Sequence, residues 1–191
     1  MISANFSDYV KQVQRLAELA MLDVRVQELA MTIKSNSEGK ILIAGNGGSS
    51  SIAEHFVTDL SRAKNLSGNY VRALYLASNT SLLTADANDF GYSNIFARQV
   101  TALANSCDIL VAISSSGNSP NIISAILEAK RLGIKTYAFT GFDGGEAHKI
   151  CDVPIHVPSE IGLYEQVEDV HAMICHFVAM QLKKKDFIEG N

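Results

Sequence analysis

Two groups of residues in this chain have types and spacing suited to chemistry. The first is made of imidazoles and carboxylates. His55 and Asp59 stand four apart in a stretch that reads as helix. They therefore share one face, about 6 Å apart. Glu168, Asp169, His171 and His176 lie at or near the start of a long closing helix. Such groups pass protons to and from a substrate and ligate borderline metals, zinc above all. Glu168 and His176 are eight apart, about 12 Å along a helix. Both can serve one ion only if the helix begins near Glu168 or a subunit contact supplies one of them.

The second group is uncharged. Gly45-Asn46-Gly47-Gly48-Ser49-Ser50-Ser51 and Ser114-Ser115-Ser116-Gly117-Asn118-Ser119 each follow an apolar strand-like run and precede a helix. Glycine lets the backbone approach an anion, successive N–H groups and the helix dipole favour negative charge, and serine hydroxyls add donors. Neither loop contains Lys or Arg, which suits a phosphate monoester and not a nucleoside triphosphate with magnesium. Neither GxxxxGK[ST] nor GxGxxG occurs, so no nucleotide cofactor is expected.

The elements that must position these loops alternate. The first 36 residues read as two helical stretches, with Val10, Val13, Leu16, Ala17 and Ala20 at helical spacing and a second run from Val24 to Ile33. Strands are expected over 40–44, 71–76, 108–113, 135–140 and 153–157. Helices are expected over 50–60, 81–87, 93–103, 121–131 and 163–182, with breaks at 89–91 and 141–145. Strands alternating with helices of about 10–15 residues imply βαβ units and a parallel sheet. The N-terminal helical pair has no strand of its own, so it must cover the sheet or another subunit.

Composition bounds the class. The chain has 191 residues, of which 47% are hydrophobic and 19% charged, so disorder is excluded. Sixteen Lys and Arg against twenty Asp and Glu leave a net charge of −4, and no block of like charge occurs. A nucleic-acid or anionic-membrane partner is therefore not expected. Lys183-Lys184-Lys185 is read as charge suited to a helix C-terminus. There is no apolar run long enough to span a bilayer and no basic segment leading an apolar one, so a cytoplasmic protein is expected. Cys107, Cys151 and Cys175 are scattered and flanked by apolar residues, and are read as buried free thiols. His148 and His156 are read as surface residues, and His171 as mainly structural.

Five segments together carry a resemblance. Gly45-Asn46-Gly47-Gly48-Ser49, Ala53-x-His55-Phe56, Asn88-Asp89-Phe90-Gly91-Tyr92, the Ser114–Ser119 loop and Thr140-Gly141-x-Asp143-Gly144-Gly145 are similar to the phosphoheptose isomerases, which are sugar isomerase (SIS) domain proteins. The similarity runs from about residue 5 to residue 185. The serine loop is shared by all SIS domains, whereas the GNGGS and NDFGY segments are more specific to this branch. The resemblance implies an α/β three-layer sandwich, a five-stranded parallel sheet flanked by helices, as one SIS domain over 1–191. In that reading the helical segment 1–36 packs on the sheet or on another subunit. It also implies a homotetramer with active sites at subunit contacts. The activity implied is interconversion of sedoheptulose 7-phosphate and D-glycero-D-manno-heptose 7-phosphate, the first step toward nucleotide-activated heptose for lipopolysaccharide or capsule. The rival is a non-catalytic SIS adaptor that binds a replication-initiation protein, and a third option is an isomerase for another ketose phosphate. An adaptor has no need of imidazoles and carboxylates at all of His55, Asp59, Glu168 and His176.

Carried over residue by residue, the family's helix histidine is His55 and its last histidine is His176. Asp59 stands where the family has glutamate, and Glu168 where it often has glutamine. Those four positions are the metal ligands in zinc-containing members, one ion per subunit. The acid–base pair falls on Asp59 and His176, with Glu168 able to take the base role. Substrate contacts fall on Asn46, Gly47, Gly48, Ser49, Asn88, Asp89, Ser114, Ser115, Ser116 and Ser119, with Asp59 and Glu168.

Overall fold

The computed structural model describes residues 5–21 and 24–183. Five strands form: β1 (Lys40–Gly45), β2 (Arg72–Tyr75), β3 (Ile109–Ser114), β4 (Lys135–Thr140) and β5 (Val153–His156). All pair in parallel in the order β2-β1-β3-β4-β5. β3 is buried along its whole length, and β1 at every position but its first. Such strands read as continuous hydrophobic runs because both faces of a parallel sheet are covered.

The covering helices are α1 (Phe6–Met21), α2 (Val24–Ser35), α3 (Gly47–Ser61), α4 (Thr80–Phe90), α5 (Ile95–Leu103), α6 (Pro120–Arg131), α7 (Gly145–Ile150) and α8 (Tyr164–Lys183). Alternate strand residues feed two separate cores. Ile41, Ile43, Val111, Tyr137 and Phe139 pack with Phe56 of α3, with Leu29 and Ile33 of α2, and with Val167, Val170, Ile174 and Val178 of α8. Leu42, Ala44, Leu110, Ala112 and Ala138 pack on the other face with Ile95, Phe96, Ile122 and Ile126. The result is the expected three-layer α/β sandwich.

Within the chain, α1 and α2 pack against α8. Polar ties fix their position. The Tyr137 hydroxyl donates to Thr32 at 2.8 Å, Arg25 donates to the Pro154 carbonyl at 3.1 Å, and the Tyr9 hydroxyl donates to Asp169 at 2.5 Å.

Several local expectations need correcting. α3 begins at Gly47, inside the glycine loop, because Gly47 supplies the left-handed turn (φ +52°) that tightens strand into helix. α4 continues to Phe90 and ends at Gly91 (φ +83°), so Asn88 and Asp89 are helical. The one-and-a-half-turn helix α7 was not expected, being too short to show periodicity. Cys107 is exposed, since it sits in the turn before β3, whereas Cys151 and Cys175 are buried. His148 and His156 are half-buried and meet edge to face, 4.8 Å between ring centres. Of the terminal lysine run, Lys183 closes α8, and Lys184 and Lys185 lie outside the described residues.

Candidate active site

Strand order determines where the two uncharged loops meet. The chain winds outward in one direction from β1 and in the other from β3, so a crevice opens between their C-terminal ends. Gly45 is level with Ile113 across that pair, which brings Asn46 beside Ser114. The crevice is a cleft of about 260 Å³, lined by Asn46, Gly47, Gly48, Ser49, Ser114, Ser115, Ser116 and Ser119, with Ile113, Tyr164 and Glu168 completing it.

Side-chain hydrogen bonds lock the two loops together. Asn46 and Asn121 exchange amide hydrogen bonds, 2.8 Å one way and 2.9 Å the other. The Tyr92 hydroxyl donates to the same Asn46 oxygen at 3.0 Å. Asn46 therefore stands before α3 without capping it. In the serine loop, the Ser114 and Ser119 hydroxyls lie 3.4 Å apart and the Ser116 hydroxyl accepts from the Asn118 N–H at 3.2 Å. The buried Ser115 hydroxyl has no partner among the described residues. Backbone holds the loop from behind: Gly141 N–H donates to the Ser115 carbonyl and Ala147 N–H to the Gly117 carbonyl, both at 2.8 Å. Gly117 is left-handed (φ +64°), and a methyl group there would overlap the Gly144 carbonyl. Only glycine satisfies both demands.

The charged groups follow from the packing of α3 on α8. Both helices run back from the C-terminal edge of the sheet, so they are parallel and pair along their length. At the top, Glu168 lies against Gly48, where a methyl group would overlap its carboxylate. Farther down, His55 and His176 meet edge to face at 4.9 Å between ring centres. Asp59 Oδ2 lies 3.8 Å from His55 Nε2, and Asp59 Oδ1 accepts from Lys183 Nζ at 3.1 Å. A smaller hollow beside the two imidazoles is lined by Ser51, Ile52, Phe56, Ala172 and Cys175.

His55, Asp59 and His176 each offer a ligand atom, and these lie within 4.8 Å of one another. Two nitrogens and a carboxylate oxygen at that spacing fit a divalent cation of the zinc type. Glu168 does not join this triad within one chain. It stands two turns from His176 on a straight helix and lines the serine cleft instead. Burial raises its carboxyl above the ordinary range, and the nearby Glu165 and Asp169 charges push the same way. Burial and Asp169 push the Tyr9 hydroxyl up to about 12, so it remains a donor to Asp169 at every physiological pH.

The structure brings Asn46, Gly47, Gly48, Ser49, Ser114, Ser115, Ser116, Ser119 and Glu168 into one cleft, and His55, Asp59 and His176 into another group beside it. Asn88 and Asp89 do not line the cleft in one chain. They are exposed, and Asn88 donates to Asp89 at 2.8 Å. Their segment reaches the cleft through Tyr92. Tyr92, Asn121, Tyr164 and Lys183 were not anticipated. Tyr92 lies within the quoted NDFGY segment, whereas Asn121 and Tyr164 occupy first turns of helices and carry no pattern of their own.

The SIS domain family matches residues 4–141. A phosphoheptose isomerase of Helicobacter pylori is 42% identical over 168 residues, covering 88% of this chain and 84% of that protein. One from Clostridium acetobutylicum is 38% identical over 181 residues, covering 95% and 86%. Among solved structures, the phosphoheptose isomerase of Neisseria gonorrhoeae superposes with a TM-score of 0.82 at 33% identity, covering 94% of this chain and 95% of that one. The Francisella tularensis phosphoheptose isomerase gives 0.84 at 32% identity, covering 94% and 96%.

Proposed function

Because the chain belongs to the phosphoheptose isomerase family of SIS-domain proteins, we propose that it interconverts sedoheptulose 7-phosphate and D-glycero-D-manno-heptose 7-phosphate. That is the first step toward nucleotide-activated heptose for a glycan. One observation carries the reading: a cleft of hydroxyls and backbone N–H groups at the switch point, with imidazoles and carboxylates on the two helices beside it.

The phosphate binds the Ser114–Ser119 loop and Ser49, where N–H and O–H donors replace a basic side chain. Asn46, held by Asn121 and Tyr92, presents its amide at the rim. The isomerisation removes a proton from C1 of the ketose and returns one to C2 of the enediol, with a second proton moved between the two oxygens. A carboxylate takes the carbon-bound proton, and Asp59 and Glu168 are the two available. Glu168 lines the cleft, and its raised carboxyl exchanges protons nearer neutral pH than an ordinary glutamate. Where no metal is bound, His176, packed edge to face on His55, serves the oxygens. His55, Asp59 and His176 would hold zinc, which when bound polarises the carbonyl and steadies the enediolate charge.

In this reading the whole chain is one SIS domain acting in the cytoplasm as a homotetramer. An apolar groove supports the assembly. It is lined by Ala17, Val26, Met173, Phe177 and Met180 on α1, α2 and α8. Among the described residues no helix is long and apolar enough to cross a membrane.

The test is conversion of sedoheptulose 7-phosphate, followed by separation of ketose and aldose, with and without added zinc. Turnover with release of the seven-carbon aldose phosphate is the expected result. Absence of turnover of this and shorter ketose phosphates, in both conditions, overturns the proposal.

A further inference from the structure

Lys183 stands in the ligand triad as a resident cation. Its ammonium donates to Asp59 Oδ1 at 3.1 Å, while the other Asp59 oxygen faces His55. Asp59 is the only anion among the three donors. The pair is partly sheltered, with 32% of the Lys183 side chain and 21% of the Asp59 side chain exposed. The attraction is therefore less screened than in a fully exposed ion pair. Lys183 reaches this point because α3 and α8 run in parallel. It follows His176 by seven residues, two turns farther along the same side of the helix.

We propose that Lys183 sets the affinity of this site for divalent cations by competing for Asp59. The inference rests on the reading of His55, Asp59 and His176 as a metal site. The Asp59 carboxylate and the Lys183 ammonium cancel, so together they offer an arriving ion no net negative charge. An arriving divalent ion must share Asp59 with the ammonium or displace it, and repels it in either case. Without Lys183 the same donors carry a net charge of −1 and both Asp59 oxygens are open to the ion. At separations of a few ångströms and near-aqueous screening, removing that repulsion tightens binding about tenfold.

The experiment measures zinc affinity of the purified full-length protein by competition with a chromophoric chelator. Lys183→Met should bind zinc about tenfold more tightly than the unmodified chain, and Lys183→Arg, which keeps the charge, should bind like it. Cobalt supplies an independent readout. Its visible absorption should develop at lower cobalt concentration in Lys183→Met, while His176→Ala should abolish it. Equal or weaker zinc binding by Lys183→Met overturns the proposal and leaves the metal site standing. Loss of no affinity in His55→Ala and His176→Ala overturns the metal site, and this inference with it. Circular dichroism on each variant establishes that the compared proteins are folded.

Discussion

His171 and His176 sit five residues apart on α8 in opposite surroundings. Five residues turn a helix by about 140°, so the two rings leave it in different directions. His171 points into the core. It is fully buried, packs edge to face on Phe139 at 5.6 Å, and shares a hydrogen bond with the Thr140 carbonyl at 3.3 Å. His176 is exposed and faces His55. One imidazole is denied the solvent and partners that proton transfer requires, and the other is given them. Residue type nominates a catalyst, but helical phase decides.

The sharpest way to break that contrast is kinetic. His176→Ala should lower turnover of sedoheptulose 7-phosphate by about 10²–10⁴, the range for one proton-transfer group. Asp59→Ala, which removes the anion of the proposed metal triad, should lower it to a comparable extent. Phosphate-end binding should persist in both, because the cleft that provides it is built from other loops. His171→Ala should cost far less activity per folded molecule. Initial rates on the three variants, with inorganic phosphate binding measured alongside, decide it. If His171→Ala loses as much as His176→Ala, the division between them is wrong.

The next effect is smaller and concerns stability. Burial holds His171 down to about 4, against 6.5 for a free imidazole. As pH falls, the unfolded chain takes up this proton near 6.5, whereas the folded chain waits until about 4. The unfolded state binds more protons over that interval, so stability decreases as pH is lowered through it. Once pH reaches 4 the loss amounts to about 3 kcal/mol from this residue alone. Urea unfolding of the unmodified chain and of His171→Leu at pH 7 and pH 4.5 should show a clearly shallower pH dependence in the variant. Identical dependence would mean that His171 is not held neutral.

The smallest effect sharpens the outward side of the comparison. Tyr9 holds Asp169, next to Glu168, on the solvent side of α8. Tyr9→Phe should cost under about 1 kcal/mol, the usual worth of a single exposed hydrogen bond. Thermal melting should register a shift of a few degrees at most. A loss approaching that of the buried histidine would show that the solvent side of α8 also carries the fold.

Much of this was legible before any coordinates. The inner strands announce themselves because a doubly covered parallel sheet needs unbroken apolar runs, as in 109–113, whereas the edge strands β2 and β5 are shorter and mixed. The two loops announce themselves because glycine and serine have few other reasons to cluster after such strands. The strand order was not legible: nothing local to β1 says that it lies between β2 and β3. For that reason the facing of Asn46 on Asn121, seventy-five residues away, could not be read from either segment. The phase of α8 was half legible. The eight-residue gap between Glu168 and His176 already forbade one shared ion on a straight helix, and the structure seats them at separate points along α3. Lys183 was read as helix-end charge because a tertiary partner such as Asp59 leaves no trace in local sequence.

The serine loop is secured from behind by the backbone that follows β4, through Gly141 to Ser115 and, from α7, Ala147 to Gly117. Those bonds spend no side chain of the loop, and the Ser115 hydroxyl has no partner among the described residues. They also remove most of the disorder the loop would otherwise surrender on capture. Fixing a free residue costs about 1–2 kcal/mol, and here that cost was met during folding. A phosphate bound there, as proposed, would meet a loop already ordered, and its affinity would draw little penalty from ordering the protein.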